Sequence, residues 1–206
     1  IEEYRRLLLN FSCLSVRERQ GCDIIYNISG KRPEQHVDPV FLLTKDTWVD
    51  KMQCNIQGDK YILVYSFELT DTMKNFVQNL SKKTGYEVYV LGCPIRKILD
   101  VPYKKIFSKS PRKFVEYFFN ASYVVTNSFH GTAFSIIFNK DFFTELLVSC
   151  NYVNSRLINI LEVMNLDKRL ISKEYNLDSI IKNQIEWSKV NDTINSERQK
   201  SLAYLK

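Results

Sequence analysis

The sequence predicts an α/β fold on an open parallel sheet, and three observations carry that expectation. Short runs rich in β-branched and aromatic residues, at 61–67, 87–92 and 123–126, alternate with longer stretches of helical periodicity, the order that successive βαβ units leave in a chain. The segment VVTNSFHGTAFSIIF, residues 124–138, reads as buried strand, polar turn and helix in immediate succession. The 206 residues are 45% hydrophobic, enough for one sizeable domain or for one domain with part of another.

In order along the chain, IEEYRRLLLN has helical spacing over 1–10, and 11–16 reads as a strand that stops at the polar triplet Arg17-Glu18-Arg19. A second helix is predicted over 20–26. Gly30, Pro33 and Pro39 then break the pattern within 29–39. This break is the expected domain boundary: residues 1–36 form the end of one domain and a crossover, and 37–206 a second domain with a terminal helix. The second part is predicted to run strand 61–67, helix 70–84, strand 87–92, a loop containing Pro94 and Pro102, helix 111–120, strand 123–126 and helix 132–138, with Ala133, Ile136 and Ile137 facing inward. Residues 142–147 suggest a further strand, 154–164 a helix and 184–205 a long polar terminal helix. The sequence opens on Ile1 within an apparent helix, and we expect it to be the carboxyl-terminal part of a longer protein.

Composition narrows the function classes. No apolar run approaches the roughly 20 residues that a membrane span requires. Five cysteines (Cys13, Cys22, Cys54, Cys93 and Cys150) are widely spaced, odd in number and never in CxxC form, which argues against a disulfide framework and a zinc site. They are expected to be mostly buried thiols in a reducing cytoplasm. The net charge is +6, and part of the excess lies in KKIFSKSPRK, residues 104–113, either a solvated loop or an attraction for anionic partners such as a membrane surface. Nucleic acid is not expected, because the chain has no helix-turn-helix, zinc-finger or RRM signature.

The polar turn 127–131 is the first candidate site. In an open α/β sheet such a turn lies at the carboxyl end of a strand and at the positive end of a helix, where anionic ligands are held. His130 supplies a titratable imidazole. Asn127 and Ser128 suit either helix capping or ligand contact, while Gly131 permits close backbone approach and Thr132 opens the helix. Arg17, directly after a strand, can fork onto a carboxylate or phosphate, or pair with Glu18 at the surface. Asp38 before Pro39 suits a capped turn. Asn154 suits an N-cap, and Arg156 behind it suits an anion contact.

Taken in order, SVRERQG (15–21), VDPVFLLTKDTW (37–48), VVTNSFHGTAFSIIFNKDF (124–142) and NSRLINILEVMNL (154–166) resemble the polysaccharide pyruvyl transferase family. The resemblance covers roughly residues 11–170, with SFHGT its most specific part. It implies a GT-B-type enzyme of two Rossmann-like domains with the active site between them, of which this chain holds the end of the first and nearly all of the second. It also implies transfer of a pyruvyl group from phosphoenolpyruvate to saccharide hydroxyls as a ketal, in surface polysaccharide synthesis. The acceptor would be a saccharide or lipid-linked oligosaccharide, and no cofactor or metal is expected. The enzyme would be cytoplasmic, with peripheral contact at the inner face of the membrane.

In that family the helix-start block often reads Arg-Leu-His, with arginine and histidine on the donor. Here Ser128, Phe129 and His130 occupy those positions, so one charged contact is absent. Arg17 matches the arginine after the first strand, and Arg156 is a substitute for the missing charge. His130 and Arg17 are therefore the expected catalytic pair, with Asn127, Ser128, Gly131, Thr132 and Arg156 on the donor. A GT-B nucleotide-sugar glycosyltransferase, or a non-catalytic saccharide-binding relative, would use the same cleft. A chain lacking most of one domain can also be folded and inactive.

Overall fold

The apolar run YILVY, residues 61–65, buries side chains toward both faces, as a strand at the centre of a parallel sheet must. The computed structural model describes residues 1–56, 58–92, 101–108, 110–150 and 153–206. Its elements begin with α1 (Glu2–Leu9), β1 (Ser15–Val16), α2 (Arg19–Ser29), β2 (Glu34–Gln35), a 3-10 turn at Pro39–Leu42 and α3 (Lys45–Met52). There follow β3 (Tyr61–Tyr65), α4 (Asp71–Thr84), β4 (Glu87–Leu91), β5 (Tyr103–Ile106), α5 (Pro111–Asn120), β6 (Tyr123–Thr126), α6 (Phe129–Ile137) and β7 (Asp141–Thr144). The chain closes with α7 (Ser155–Val163), a 3-10 turn at Asp167–Arg169, α8 (Leu177–Lys182) and α9 (Trp187–Tyr204).

The large sheet has the order β5-β4-β3-β6-β7 and every pairing in it is parallel. The chain starts at the centre, winds outward to β5, then returns to β6 and winds the other way. This is a doubly wound, Rossmann-like order whose direction reverses between β3 and β6. On one face Ile62, Val64, Val88 and Val90 meet Met73, Phe76, Val77 and Leu80 of α4; on the other Leu63 and Val124 meet Phe118 of α5 and Phe134 and Ile136 of α6. Local sequence sets the helix ends. Thr70 accepts from the Met73 amide, Ser110 accepts from the Lys113 amide ahead of Pro111, and Gly85 stops α4 in the left-handed region at φ 72°.

The predicted strand over 11–16 shrinks to two residues, because β1 finds only the equally short β2 to pair with, while Phe11 and Cys13 lie exposed. Four elements are not predicted by the sequence pattern, β2 and α8 among them. α3 is signalled by its cap, Thr44, which accepts from the Thr47 amide. β5 lies where the sequence predicts a loop: YKKI is a four-residue edge strand with both lysines exposed, a usual form for edges. The strand predicted over 142–147 spans Asp141–Thr144 instead, and α8 was not foreseen. The predicted terminal helix forms as α9, Trp187–Tyr204, and buries Val190, Ile194, Arg198 and Ser201. Of the four described cysteines only Cys22 is buried; Cys13 is exposed and Cys54 and Cys150 are half-buried, all four as free thiols, while Cys93 and Pro94 lie outside the described residues.

Lys140, between α6 and β7, has its Nζ 5.6 Å from the Phe119 ring centroid. Burial above all, and the nearby Lys45 charge, push its pKa down to about 8 from 10.5. Below about 8 the folded state carries a charge that burial disfavours. Between the two values the unfolded chain binds more protons, so stability rises with pH there. Lys140→Met should raise the melting temperature at pH 7, and the gain should shrink at pH 10. Equal gains at both pH values would show that the buried charge is not the cost.

Candidate active site

The carboxyl end of β6 runs directly into α6, and Thr126 holds that turn. Its Oγ1 donates to the Tyr65 carbonyl at 2.5 Å across the β3–β6 switch and accepts from the Ser128 amide at 3.0 Å. Asn127 ties the same switch from the next position. Its Oδ1 accepts from the Phe67 amide at 2.8 Å and its Nδ2 donates to the Glu68 carbonyl at 2.7 Å. Ser128, not Asn127, is the cap: its Oγ accepts from the Gly131 amide at 3.4 Å, so the helix begins at Phe129 rather than near Thr132. Burial raises the Tyr65 phenol pKa, and a hydrogen bond with the Ser128 side chain draws it partway back.

Gly131 has a packing reason. A Cβ there would lie deep inside van der Waals contact with Thr126 Oγ1 and 3.1 Å from Thr126 Cβ. Thr132 is fully buried, with its hydroxyl 3.4 Å from that of Thr144. The side chains of Asn127, Ser128 and Thr132 are thus engaged within the fold. What the turn offers a ligand is backbone: the amides of Phe129 and His130 have no acceptor among the described residues. They stand at the positive end of α6.

Four elements bring charge to this point. Arg17, after β1, forms an ion pair with Asp38, whose side chain is only 3% exposed and whose Oδ1 accepts from the Val40 amide at 3.1 Å. The same Asp38 Oδ2 lies 3.9 Å from His130 Nε2, and the His130 side chain is 46% exposed. Both the Arg17 and Arg156 guanidinium carbons lie 5.7 Å from the Phe129 ring centroid. That is within cation–π range. Arg156 has no carboxylate partner among the described residues. Two guanidiniums and an accessible imidazole therefore meet at a helix start, with one buried carboxylate paired to Arg17 and 3.9 Å from His130.

The structure brings Arg17, His130 and Arg156 together around Phe129. Sequence reasoning gave Asp38 only its turn-capping role, which it does fill, and overlooked Phe129 as the surface on which the arginines gather. The alternative pairing of Arg17 with Glu18 does not form, since Glu18 accepts from the Ser155 hydroxyl instead. That bond, with Asn159 Oδ1 accepting from Gln35 Nε2 at 3.1 Å, fastens the β1–β2 segment to α7. Asn154 does not cap α7 through its side chain but bonds both the amide and the carbonyl of Leu147 at 2.9 Å.

In the basic stretch, Lys104 pairs with Glu87, Lys113 with Glu116, and Arg112 bonds the Gln53 carbonyl; Lys109 lies outside the described residues. No described helix is long and apolar enough to cross a membrane.

A family model described as polysaccharide pyruvyl transferase matches residues 1–144. No curated protein matches the chain. Among solved structures, the wall teichoic acid polymerase TagF is similar with 14% identity and a TM-score of 0.46, over 96% of this chain and 55% of that one. Its form soaked with CDPG is similar with 14% identity and a TM-score of 0.39, over 97% of this chain and 60% of that one. The chain thus spans well under two thirds of the length of these structures.

Proposed function

Because this chain belongs to the polysaccharide pyruvyl transferase family, we propose that it transfers a pyruvyl group from phosphoenolpyruvate to two hydroxyls of a saccharide in surface polysaccharide synthesis, working in the cytoplasm. The observation that carries this reading is the convergence of Arg17, Arg156 and His130 at the start of α6. Phosphoenolpyruvate bears a phosphate and a carboxylate, and forked guanidiniums with free amides suit both. Arg156 offsets the charge that Ser128 lacks.

The reaction needs a proton at C3 of the enol, attack of one hydroxyl at C2, departure of phosphate with the C–O bonding pair, and attack of the second hydroxyl at C2. The two hydroxyl protons balance the proton taken up at C3 and the one that leaves with phosphate. His130 gives the proton to C3 or stabilises the departing phosphate, a role that suits an imidazole near neutral pH. Asp38 holds the Arg17 guanidinium and stands 3.9 Å from that imidazole.

The test is mass spectrometry of a saccharide acceptor pool incubated with the protein, with and without phosphoenolpyruvate. We expect a product heavier by pyruvate less water, formed only with the donor. Without that product, and with UDP- or GDP-sugars raising the melting temperature where phosphoenolpyruvate does not, the site would belong to a nucleotide-sugar donor.

A further inference from the structure

A concave cavity of about 460 Å³ opens between β1, the start of α2, the Pro39–Leu42 turn and the carboxyl end of α9. This volume lies within the range of roughly 300–1,000 Å³ usual for small-molecule sites. Its walls are mainly apolar, with Val16, Val37, Pro39, Leu42, Tyr204 and Leu205 contributing, and the transfer proposed above does not use them. Arg17 and Glu18 are its charged lining residues. Arg17, His36 and Val37 also line the narrow crevice that contains Asp38, Phe129 and Arg156, so the apolar cavity adjoins the cationic site.

His36 is the one other histidine of the chain. Its ring lies 4.4 Å from that of Tyr204 and its Nδ1 is 3.3 Å from Ser201 Oγ. Its Nε2 is buried without a hydrogen-bond partner, the nearest carboxylate oxygen, of Glu34, standing 3.4 Å off outside hydrogen-bond geometry. A purely structural apolar seam would be expected to close over such walls. Here it is left open beside an arginine, which suits a ligand apolar at one end and anionic at the other.

We propose that this cavity binds the aliphatic part of an amphiphilic ligand whose phosphate-bearing head meets Arg17. The ligand's identity as the acceptor, a lipid-linked saccharide, rests on the transferase reading above; the cavity's selection of an aliphatic chain does not. The occupant follows from the two chemistries side by side, since a free sugar would leave the apolar walls bare and a simple hydrocarbon would bring no charge to the cationic end of the cavity.

The experiment is calorimetric titration of the protein with dodecyl phosphate, below its micelle threshold, and with inorganic phosphate. Dodecyl phosphate should bind at least tenfold more tightly. Leu42→Trp and Leu205→Trp, which fill the cavity from its wall and its exposed rim, should each weaken dodecyl phosphate binding at least tenfold. Ile24→Trp, on the exposed side of α2, should leave it unchanged. Equal affinity for the two phosphates, or equal binding by wild type and both filled variants, would overturn the proposal, as would a loss in Ile24→Trp as large as theirs. Thermal shifts with phosphoenolpyruvate on the same proteins separate the two readings. A shift that persists in Leu205→Trp supports separate donor and chain sites, and a shift missing from every form overturns the transferase reading alone.

Discussion

His130→Ala should reduce pyruvyl transfer by roughly 10²–10⁴-fold, the span that a positioned acid or base usually contributes, while leaving the fold intact. The ring is nearly half exposed, its Nε2 stands 3.9 Å from Asp38 Oδ2, and its own ring contact is with the adjacent Phe129. Removing it therefore opens no cavity in the core and breaks no hydrogen bond within the protein's frame. The check is product formation by mass spectrometry beside a thermal melt. Lost turnover with an unchanged melting temperature supports the role; near-normal turnover removes His130 from the chemistry.

The second large effect lies one residue further on and acts on stability. In a helix interior, alanine is ordinarily better than glycine by about 1 kcal/mol. At Gly131 that gain is overridden, because the new Cβ would collide with Thr126 Oγ1 and crowd Thr126 Cβ and Cγ2. Overpacking of this kind costs about 1–3 kcal/mol, and Thr126 cannot easily retreat, since its hydroxyl bridges the Tyr65 carbonyl and the Ser128 amide. Gly131→Ala should lower the urea midpoint. In combination with Thr126→Ala it should be less destabilising than the sum of the two single changes, by about 0.5–3 kcal/mol. Strict additivity would mean that the close approach to Thr126 is not the reason for glycine at this position.

These two residues also show what the sequence could reveal. The strand, turn and helix of 123–138 were legible because burial, capping and helix start are all written within sixteen neighbouring residues. The central strands and α4 were legible for the same reason, their apolar spacing and their caps being local. β5 was not, because its two exposed lysines weighed more in the reading than Tyr103 and Ile106, which rest on β4. The ion pair of Arg17 with Asp38 joins residues 21 apart across a chain break in the pattern, and no periodicity encodes such a meeting. Phe129 was passed over because an aromatic beside a histidine has no sequence mark that separates a core ring from a surface where guanidiniums collect. His36 lies in the segment predicted as a boundary, and the return of α9 supplies the Ser201 hydroxyl and Tyr204 ring beside it.

That return has a consequence for the order in which the protein becomes competent. His36 meets Ser201 across 165 residues, the Val37 amide donates to the same hydroxyl at 3.2 Å, and the Phe41 carbonyl accepts from Arg198 at 2.6 Å. The segment carrying Arg17 and Asp38 is thereby fastened by α9, which is synthesised after every strand of the sheet. While the ribosome still holds that helix, the sheet and the His130 turn can form, but these ties between the early segment and α9 cannot. Arrival of α9, rather than formation of the sheet, is then the event that locks the early arginine and aspartate beside the later histidine.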